Sequence, residues 1–529
     1  MTLTSVAAER RTPNKVDRFL FRNRPWGVAL VVVPVSAVAR ATEAIRDRLP
    51  GRAEQTWRSA GEHERTVAQI ADRVREWAAL PEAGRPALRT HRSSAASFSV
   101  RQSNKGDAMT LDVSGLDGLL ALDQDAGTIT VEPQATVGQI TTALLPYGLM
   151  LQATLEMEEA TIGGLALSQG LTTHSHQCGW VHDTVTEWEY VTGCGEVLRA
   201  SADENADVFA CSGMSQGTLG FLTALTLRVV PAAQEVLVTY EHVGSFDALQ
   251  DRMIELMAGE DDFLEAITYA PDHAVIVRGV VTAPDDAEAA LADGVVRNRQ
   301  GDWHRPWFFS HVEHVEQGRR ELMPIRDYLM RHDRCMCMTM KSTFPLGNTA
   351  PVRWALGWAF PPKMSVLKGM QTPAVRELTV REHVYQDVCV PAQRYADLLR
   401  LVDTAFGNYP LLVYPSRWRD RGGLQRHPDG RRGSVEAPRD AWYLNLGLYG
   451  PPPNSGSGGT VLSRVRSMLA WVREQGGYQH SYCDVFQTRE EYAEQLDLDR
   501  LRAARERIGS QLLPEPYDKV RCELPWQGW

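Results

Sequence analysis

Apolar side chains recur at intervals of three and four residues over ERTVAQIADRVREWAAL, residues 64–80. The apolar positions are Val67, Ile70, Val74, Trp77 and Leu80. This spacing places them on one side of a helix, so the segment is predicted to be an amphipathic helix. The following PEAGRP, residues 81–86, predicts its end.

From about residue 95 the apolar positions alternate over short runs instead, which is typical of strands. We predict strands at SFSVRQ (97–102), AMTLDVS (108–114), TITVEPQ (128–134) and FLTALTLRVVP (221–231), with a turn at 123–127. VGQITTALLPYG, residues 137–148, reads as a helix that Pro146 and Gly148 close. TVTEWEYVT and EVLRAS are predicted to pair as a hairpin around Gly193 and Gly195.

A different apolar segment, WGVALVVVPVSAVA, covers residues 26–39 and is flanked by Arg22, Arg24 and Arg40. It is shorter than the roughly 20 residues that span a bilayer, and Pro34 is expected to break it. No small-residue cleavage site follows it, so a signal peptide fits poorly. We predict an apolar foot that lies on a membrane surface or docks on the body of the protein.

The composition narrows the class of protein. At 529 residues, with 43% hydrophobic and 23% charged residues, the chain is long enough for several domains with a large core. A net charge of -10 without a long basic run argues against nucleic acid as a partner. The eight scattered cysteines indicate reduced thiols and a cytoplasmic location, and the spacing of His332, Cys335 and Cys337 fits no zinc pattern, so no metal site is predicted.

The run ATIGGLALSQG, residues 160–170, consists mostly of small residues. It is either a loop that lets a ligand approach the backbone or a tightly packed loop without a ligand. GMSQG, residues 213–217, matches the nucleophile elbow of hydrolases, but a turn and a strand are predicted after it where that motif needs a helix. No G-x-G-x-x-G follows a strand, so a Rossmann domain has no support.

The ordered series TITVEPQATVGQI, ATIGGLALSQG, GCGEVLRAS and ENADVFACSGMSQGTLGFLTALTLRVVP resembles the FAD-binding domain of the vanillyl-alcohol-oxidase (PCMH-type) flavoproteins. Within that superfamily the chain resembles the sterol Δ24-reductase family, because RPWFFSHVEH, FPLGN, WALGWAFPPK, TREEYAEQLD and PEPYDKV follow in the family's order. The resemblance covers about residues 20–520.

The resemblance implies an α+β fold, with a two-part PCMH-type FAD-binding domain and a larger α+β substrate (cap) domain. The expected organisation is an apolar foot (1–50), a helical lead-in (51–84), the FAD-binding domain (85–235), the cap domain (236–480) and a C-terminal segment that returns toward the flavin (481–529).

The resemblance also implies cofactor-binding residues. They are Arg101, Ser103, Thr161, Ile162, Gly163, Gly164, Ser168, Gly170, Thr172, Thr173, His176, Gly179, Gly217, Thr218 and Gly220. The superfamily often attaches its flavin to a histidine in the first FAD loop, but SVRQSNKGD (99–107) contains none. We therefore expect noncovalent FAD.

The family reaction reduces an isolated carbon–carbon double bond of a sterol side chain with NADPH. An unactivated alkene has no carbonyl to accept electron density, so a general acid must protonate one carbon in a dry pocket. Candidates for the acid are His176, Glu490, Tyr492, Tyr517 and Lys519. Two alternatives stay open at this point: a flavin-dependent alcohol oxidase or dehydrogenase of the same fold, and a lipid-binding scaffold without turnover.

Overall fold

A computed structural model describes residues 14–47, 56–91, 108–369, 372–419, 422–426, 440–453 and 459–524. The predicted strand at 97–102, and Arg101 and Ser103 with it, lie outside the described residues. The structure contains both helices and sheets, so the α+β fold class is confirmed.

The smaller sheet occupies the first half of the chain. In the part that the structure describes it has six strands: β3 Leu119–Asp123, β4 Thr128–Val131, β5 Leu149–Leu151, β6 Val185–Val191, β7 Val197–Ser201 and β8 Phe221–Pro231. Their order in the sheet is β3-β4-β8-β6-β7, with β5 also paired to β8. Every one of these pairings is antiparallel. A separate parallel pair joins β1 Leu88–Thr90 to β2 Met109–Leu111.

The local patterns of this region are confirmed. The amphipathic helix runs over Ala60–Ala78, starting four residues before the predicted segment because Ser59 and Glu62 form a capping box. The helix Val137–Leu144 passes into a 3-10 turn, and Gly148 at φ +66° ends it. The strands β6 and β7 pair as the predicted hairpin, with Gly195 in the turn at φ +84°.

The larger sheet has nine strands across the described ranges: β9 Glu235–Val243, β10 Phe263–Ala270, β11 His273–Thr282, β12 Val296–Arg297, β13 Arg320–Pro324, β14 Val384–Pro391, β15 Leu411–Arg419, β16 Asp440–Gly450 and β17 Tyr478–Gln479. Their order in the sheet is β12-β13-β9-β11-β10-β15-β16-β14-β17. Because side chains alternate along a strand, Leu411 and Val413 join one hydrophobic cluster while Leu412 and Tyr414 join another. The sheet is therefore covered on both faces.

Helices pack around the two sheets. Those that cover the outer face of the larger sheet are Phe246–Met257, Tyr395–Ala405 and Val461–Glu474. The others are Lys15–Arg22, Arg24–Gly27, Val33–Asp47, Ile162–Ala166, Ser175–Cys178, Ala206–Ser212, Pro284–Ala292, Phe308–Glu313, Ile325–Leu329, Thr339–Thr343, Ala350–Leu356, Met364–Gly369, Pro373–Glu382, Arg489–Ala493, Leu498–Arg507 and Pro516–Val520.

The N-terminal apolar segment is helical and docks on the body along one side. Val28, Val32, Val33 and Ala37 are buried in the main core. The expected break at Pro34 was wrong: a π-helical turn over Val28–Val32 leads directly into the helix Val33–Asp47. A wider turn of this kind lets a helix tolerate a local change in its hydrogen bonding.

Among the described residues, no helix is both long and apolar enough to cross a membrane.

Candidate cofactor and substrate cavity

A cavity of about 620 Å³ is lined by the small-residue loop, the larger sheet and the continuous helical segment 24–47, which we call the N-terminal helix. Thr161, Gly164, Ser168 and Gly170 contribute one wall, and Gln216 and Lys519 lie beside them. Cavities of roughly 300–1,000 Å³ typically hold small organic ligands in proteins. The size and position therefore identify this cavity as the candidate functional site.

Part of the predicted small-residue loop, Ile162–Ala166, is a short helix, and its two adjacent glycines have different surroundings. A Cβ added at Gly163 would lie 2.8 Å from the carbonyl oxygen of Pro133, and the Gly163 N–H donates to that same oxygen at 3.0 Å. A Cβ at Gly164 would contact only Thr161 Oγ1, at 3.1 Å, and would otherwise point into the cavity. Gly163 therefore serves close packing within the protein, whereas Gly164 leaves bare backbone for a ligand.

Gly170 and Gly220 also fit closely against protein. A Cβ at Gly170 would lie 2.9 Å from the Leu165 carbonyl oxygen, and one at Gly220 would lie 2.6 Å from the Val191 carbonyl oxygen. Gly179 and Gly217 have φ of +82° and +66°, which favours glycine whether or not a ligand is present.

The remaining expected cofactor residues lie behind the wall. Ile162, Thr172, Thr173, His176 and Thr218 are buried and are not among the described residues that line the cavity. Thr173 donates from both its backbone N–H and its hydroxyl to Glu156 Oε1, at 3.2 and 2.7 Å. Of the expected set, Thr161, Gly164, Ser168 and Gly170 face the cavity.

The expected acid candidates are spread over different environments. His176 hydrogen-bonds the Asp261 carbonyl through Nε2 at 2.9 Å, and burial lowers the pKa of its imidazole. Glu490 is exposed to solvent, and the Tyr517 hydroxyl donates to the Gln487 carbonyl. The ring of Tyr492 packs beside that of Tyr517 with 5.7 Å between centroids. Lys519 alone of this set lines the cavity in the part of the chain that the structure describes, and its Nζ donates to the Gly217 carbonyl at 3.1 Å.

A polar group on the opposite wall was not found from the sequence. Asp387 on β14, Tyr414 on β15, and Asn445 and Tyr449 on β16 line the cavity. The register of the sheet brings them together: Asp387 pairs with Gly447, and Asn445 pairs with Tyr414. The Asn445 side chain is buried, and its Oδ1 has no hydrogen-bond partner among the described residues. A buried polar atom of this kind is available to a ligand that the cavity admits.

Behind Tyr414 lies a buried charged network. Arg331 donates through Nε to Glu265 Oε1 at 2.8 Å and lies 3.8 Å from Glu156 Oε1, and Tyr414 donates to Glu156 Oε2 at 3.2 Å. His332 contacts Glu265 at 2.7 Å. Burial opposes the charge on His332, but Glu265 raises its pKa to about 9. Two carboxylates and two cations thus balance one another beneath the cavity wall.

Sequence comparisons give the relatives of the chain. Residues 65–201 match the FAD binding domain family. The chain is 32% identical to the Delta(24)-sterol reductase of Homo sapiens over 463 residues, which is 87% of this chain and 86% of the relative. It is 31% identical to the Delta(24)-sterol reductase of Arabidopsis thaliana over 398 residues, 70% and 69% of the two chains. It is 27% identical to a Delta(24)-sterol reductase homologue of Caenorhabditis elegans over 525 residues, 96% of each.

Proposed function

We propose that this chain, which belongs to the Delta(24)-sterol reductase family, uses NADPH to saturate an isolated carbon–carbon double bond in the side chain of a sterol or a related isoprenoid lipid. The observation that carries the proposal is that one cavity is lined both by the small-residue loop and by five apolar side chains, which we call the substrate wall: Met157, Met336, Met364, Leu367 and Leu412. FAD is the cofactor that its FAD-binding domain supports.

The walls of the cavity fit a flavin dinucleotide. Gly164 presents backbone without a side chain, and Thr161 and Ser168 beside it carry hydroxyl groups. Gln216 holds φ at +55°, which a non-glycine residue rarely adopts, in the turn that borders the same wall. We propose that these four residues hold FAD, which supplies two-electron chemistry when bound. We propose that FAD is bound noncovalently, because SVRQSNKGD, residues 99–107, contains no histidine.

The substrate wall fits a lipid. Met157, Met336, Met364, Leu367 and Leu412 line the cavity and present no hydrogen-bond donors. Flexible methionine side chains adapt to irregular apolar ligands such as a branched isoprenoid tail. A substrate that fills this space excludes water from the polar group around Asp387 and strengthens the interactions there.

Anaerobic spectroscopy of the purified protein tests the proposal. We expect a yellow protein that NADPH bleaches, and acid or heat should release all of the flavin from the polypeptide. Bleaching by an alcohol, but not by NADPH, would instead indicate the alcohol oxidase or dehydrogenase. A protein that binds no flavin when FAD is added would indicate a scaffold without turnover.

We also propose that the protein is cytoplasmic and contacts a membrane surface through residues 20–40. Leu30, Val35 and Val38 are 71%, 48% and 65% exposed on the outer side of the N-terminal helix. The inner side of the same helix lines the cavity through Val28 and Val32. A lipid substrate could therefore pass from the membrane surface into the cavity beside this helix.

The double substitution Val35→Glu with Val38→Glu is expected to reduce binding to phosphatidylcholine–phosphatidylserine vesicles by at least about tenfold, since each valine side chain that the membrane buries contributes roughly 1.5 kcal/mol. Flotation with the vesicles measures the bound fraction. Val197→Glu is the matched control, because Val197 is similarly exposed on β7. Equal binding by the double variant and the wild type would contradict the proposed contact.

A further inference from the structure

One carboxyl group lines the cavity from the middle of a strand. Asp387 lies on β14 and is buried to 3% exposure. The Tyr449 hydroxyl donates to its Oδ1 at 2.6 Å, and the Cys483 thiol donates to its Oδ2 at 3.3 Å. All three residues line the cavity. Both carboxyl oxygens thus have a donor that stabilises the ionised form.

A glycine makes the contact between Asp387 and Tyr449 possible. Gly447 stands directly opposite Asp387 in the β14–β16 pairing, and a Cβ there would lie 2.7 Å from the Tyr449 hydroxyl oxygen. The absence of a side chain at Gly447 lets the tyrosine ring lean across the strand toward the carboxylate. The hydrogen bond between Asp387 on β14 and Tyr449 on β16 therefore depends on the glycine at position 447.

The acid strength of the lining groups differs. Burial raises the pKa of Asp387 to about 6, partly offset by the hydrogen bonds from Tyr449 and Cys483. Burial raises the pKa values of Tyr414, Tyr449 and Cys483 well above their ordinary range. A neutral carboxyl is a far stronger proton donor than a phenol or thiol of this kind, and an unactivated alkene requires a strong one.

Asp387 is also tied to the cofactor loop. Its backbone carbonyl accepts from the His480 N–H at 2.9 Å. The next residue, Ser481, donates its N–H to Gln169 Oε1 at 2.6 Å, and Gln169 immediately precedes Gly170 in the small-residue run. A short chain of hydrogen bonds therefore connects the backbone of Asp387 to the loop that we propose to hold FAD.

We propose that Asp387 is the general acid of the alkene-reducing half-reaction, an assignment that rests on the function proposed above. The O–H bond of the neutral carboxyl breaks, and the alkene π electrons form a C–H bond to that proton at the less substituted carbon. The more substituted carbon takes a hydride with its electron pair; FAD held in the cavity would supply that hydride from NADPH. The carboxylate accepts the hydrogen bonds of Tyr449 and Cys483 and regains a proton from water.

Asp387→Asn separates the two half-reactions in anaerobic stopped-flow measurements. We expect NADPH to reduce the flavin at a rate within about threefold of the wild type, while reoxidation by a sterol with a side-chain double bond slows by about 10²–10⁴-fold. Asp262→Asn is the matched control: burial also raises the pKa of Asp262, which lies outside the cavity lining and accepts from the Val281 N–H. Melting temperature and flavin content establish that each variant is folded.

The pH dependence of the reoxidation rate gives a second test, because a carboxyl with only a structural role would not set it. The wild-type reoxidation rate should fall about tenfold per pH unit above about 6, because the carboxyl loses its proton. Tyr449→Phe removes a hydrogen bond that stabilises the ionised carboxyl, so the fall should begin at higher pH. The other groups around Asp387, Tyr482, Asn445 and Cys483, stay unchanged in this variant.

Ligand binding tests the assignment without turnover. A sterol whose side chain carries a tertiary amine places a positive nitrogen where positive charge develops in the reaction. Tryptophan fluorescence should show that the wild type binds this amine at least tenfold more tightly than the neutral parent sterol. Asp387→Asn should lose that preference and bind both sterols alike, while Asp262→Asn keeps it.

Three results would overturn the assignment while leaving the proposed function intact: reoxidation of Asp387→Asn within tenfold of the wild type, an unmoved pH profile in Tyr449→Phe, or an unchanged amine preference. A wild-type protein that NADPH reduces but no sterol alkene reoxidises would overturn the proposed function, and the assignment with it.

Discussion

Valine in place of Gly164 is expected to yield a folded protein that has lost at least about nine-tenths of its flavin. Gly164 is exposed and lines the cavity, and the one nearby contact of a Cβ placed there would be Thr161 Oγ1, at 3.1 Å. The branched side chain therefore competes with the cofactor rather than with the core. Flavin absorbance per polypeptide and the melting temperature measure the two effects.

The neighbouring Gly163→Ala is the matched control and should behave in the opposite way. Its new Cβ would overlap Pro133 on the protein side of the loop. Overpacking of this kind typically costs about 1–3 kcal/mol of unfolding free energy, while the cavity itself is unchanged. If Gly164→Val kept its full flavin content, the loop would not be the cofactor contact.

Arg331→Met is expected to lower the free energy of unfolding by about 3–5 kcal/mol, because it leaves two buried carboxylates with His332 as the one remaining cation of the network. The guanidinium lies between Glu265 and Glu156, and the side chains of all three residues are 0–1% exposed. Urea denaturation measures the change. We also expect Tyr414 to shift at the cavity wall, since its hydroxyl donates to Glu156.

Arg400→Met provides the comparison with an exposed pair. Arg400 contacts Asp247 and Asp397 with all three side chains about half exposed or more. Exposed ion pairs contribute about 0–1 kcal/mol, so this variant should unfold nearly as the wild type does. Similar losses in Arg331→Met and Arg400→Met would show that the buried network does not stabilise the fold as we describe.

Much of the smaller sheet could be predicted because its signals are local. The apolar spacing of residues 64–80 and the alternation in β6, β7 and β8 depend on side chains only a few positions apart. The small-residue loop could be located in the same way. The different roles of Gly163 and Gly164 could not be predicted, because Gly163 is required by its contact with Pro133, thirty residues earlier in the chain.

The polar group at the substrate wall depends on long-range pairing. Asp387 meets Tyr449 only because β14 lies beside β16, and no local pattern states that register. The signal that could have found it is an aspartate within the mostly apolar segment VYQDVCVP, because a buried strand rarely carries a charge. The expected acids Glu490, Tyr492 and Tyr517 lie in segments that follow the family's order, and the fold places none of them among the described cavity-lining residues.

The sequence also could not predict which side of the N-terminal helix packs against the core. An apolar run with a single polar residue, Ser36, gives little indication of which residues face the core. The fold buries Val28 and Val32 and leaves Leu30 and Val38 exposed, so one segment both completes the cavity and presents an apolar surface.

The most direct test of the central claim is anaerobic reoxidation of the NADPH-reduced protein by a sterol with a side-chain double bond, with the product analysed by mass spectrometry. We predict that the flavin absorbance returns in proportion to the sterol consumed and that the product gains two hydrogens. In deuterium oxide, the carbon that the general acid protonates should carry one deuterium. Reduced protein that no sterol alkene reoxidises, together with flavin that an alcohol reduces, would contradict the reductase function.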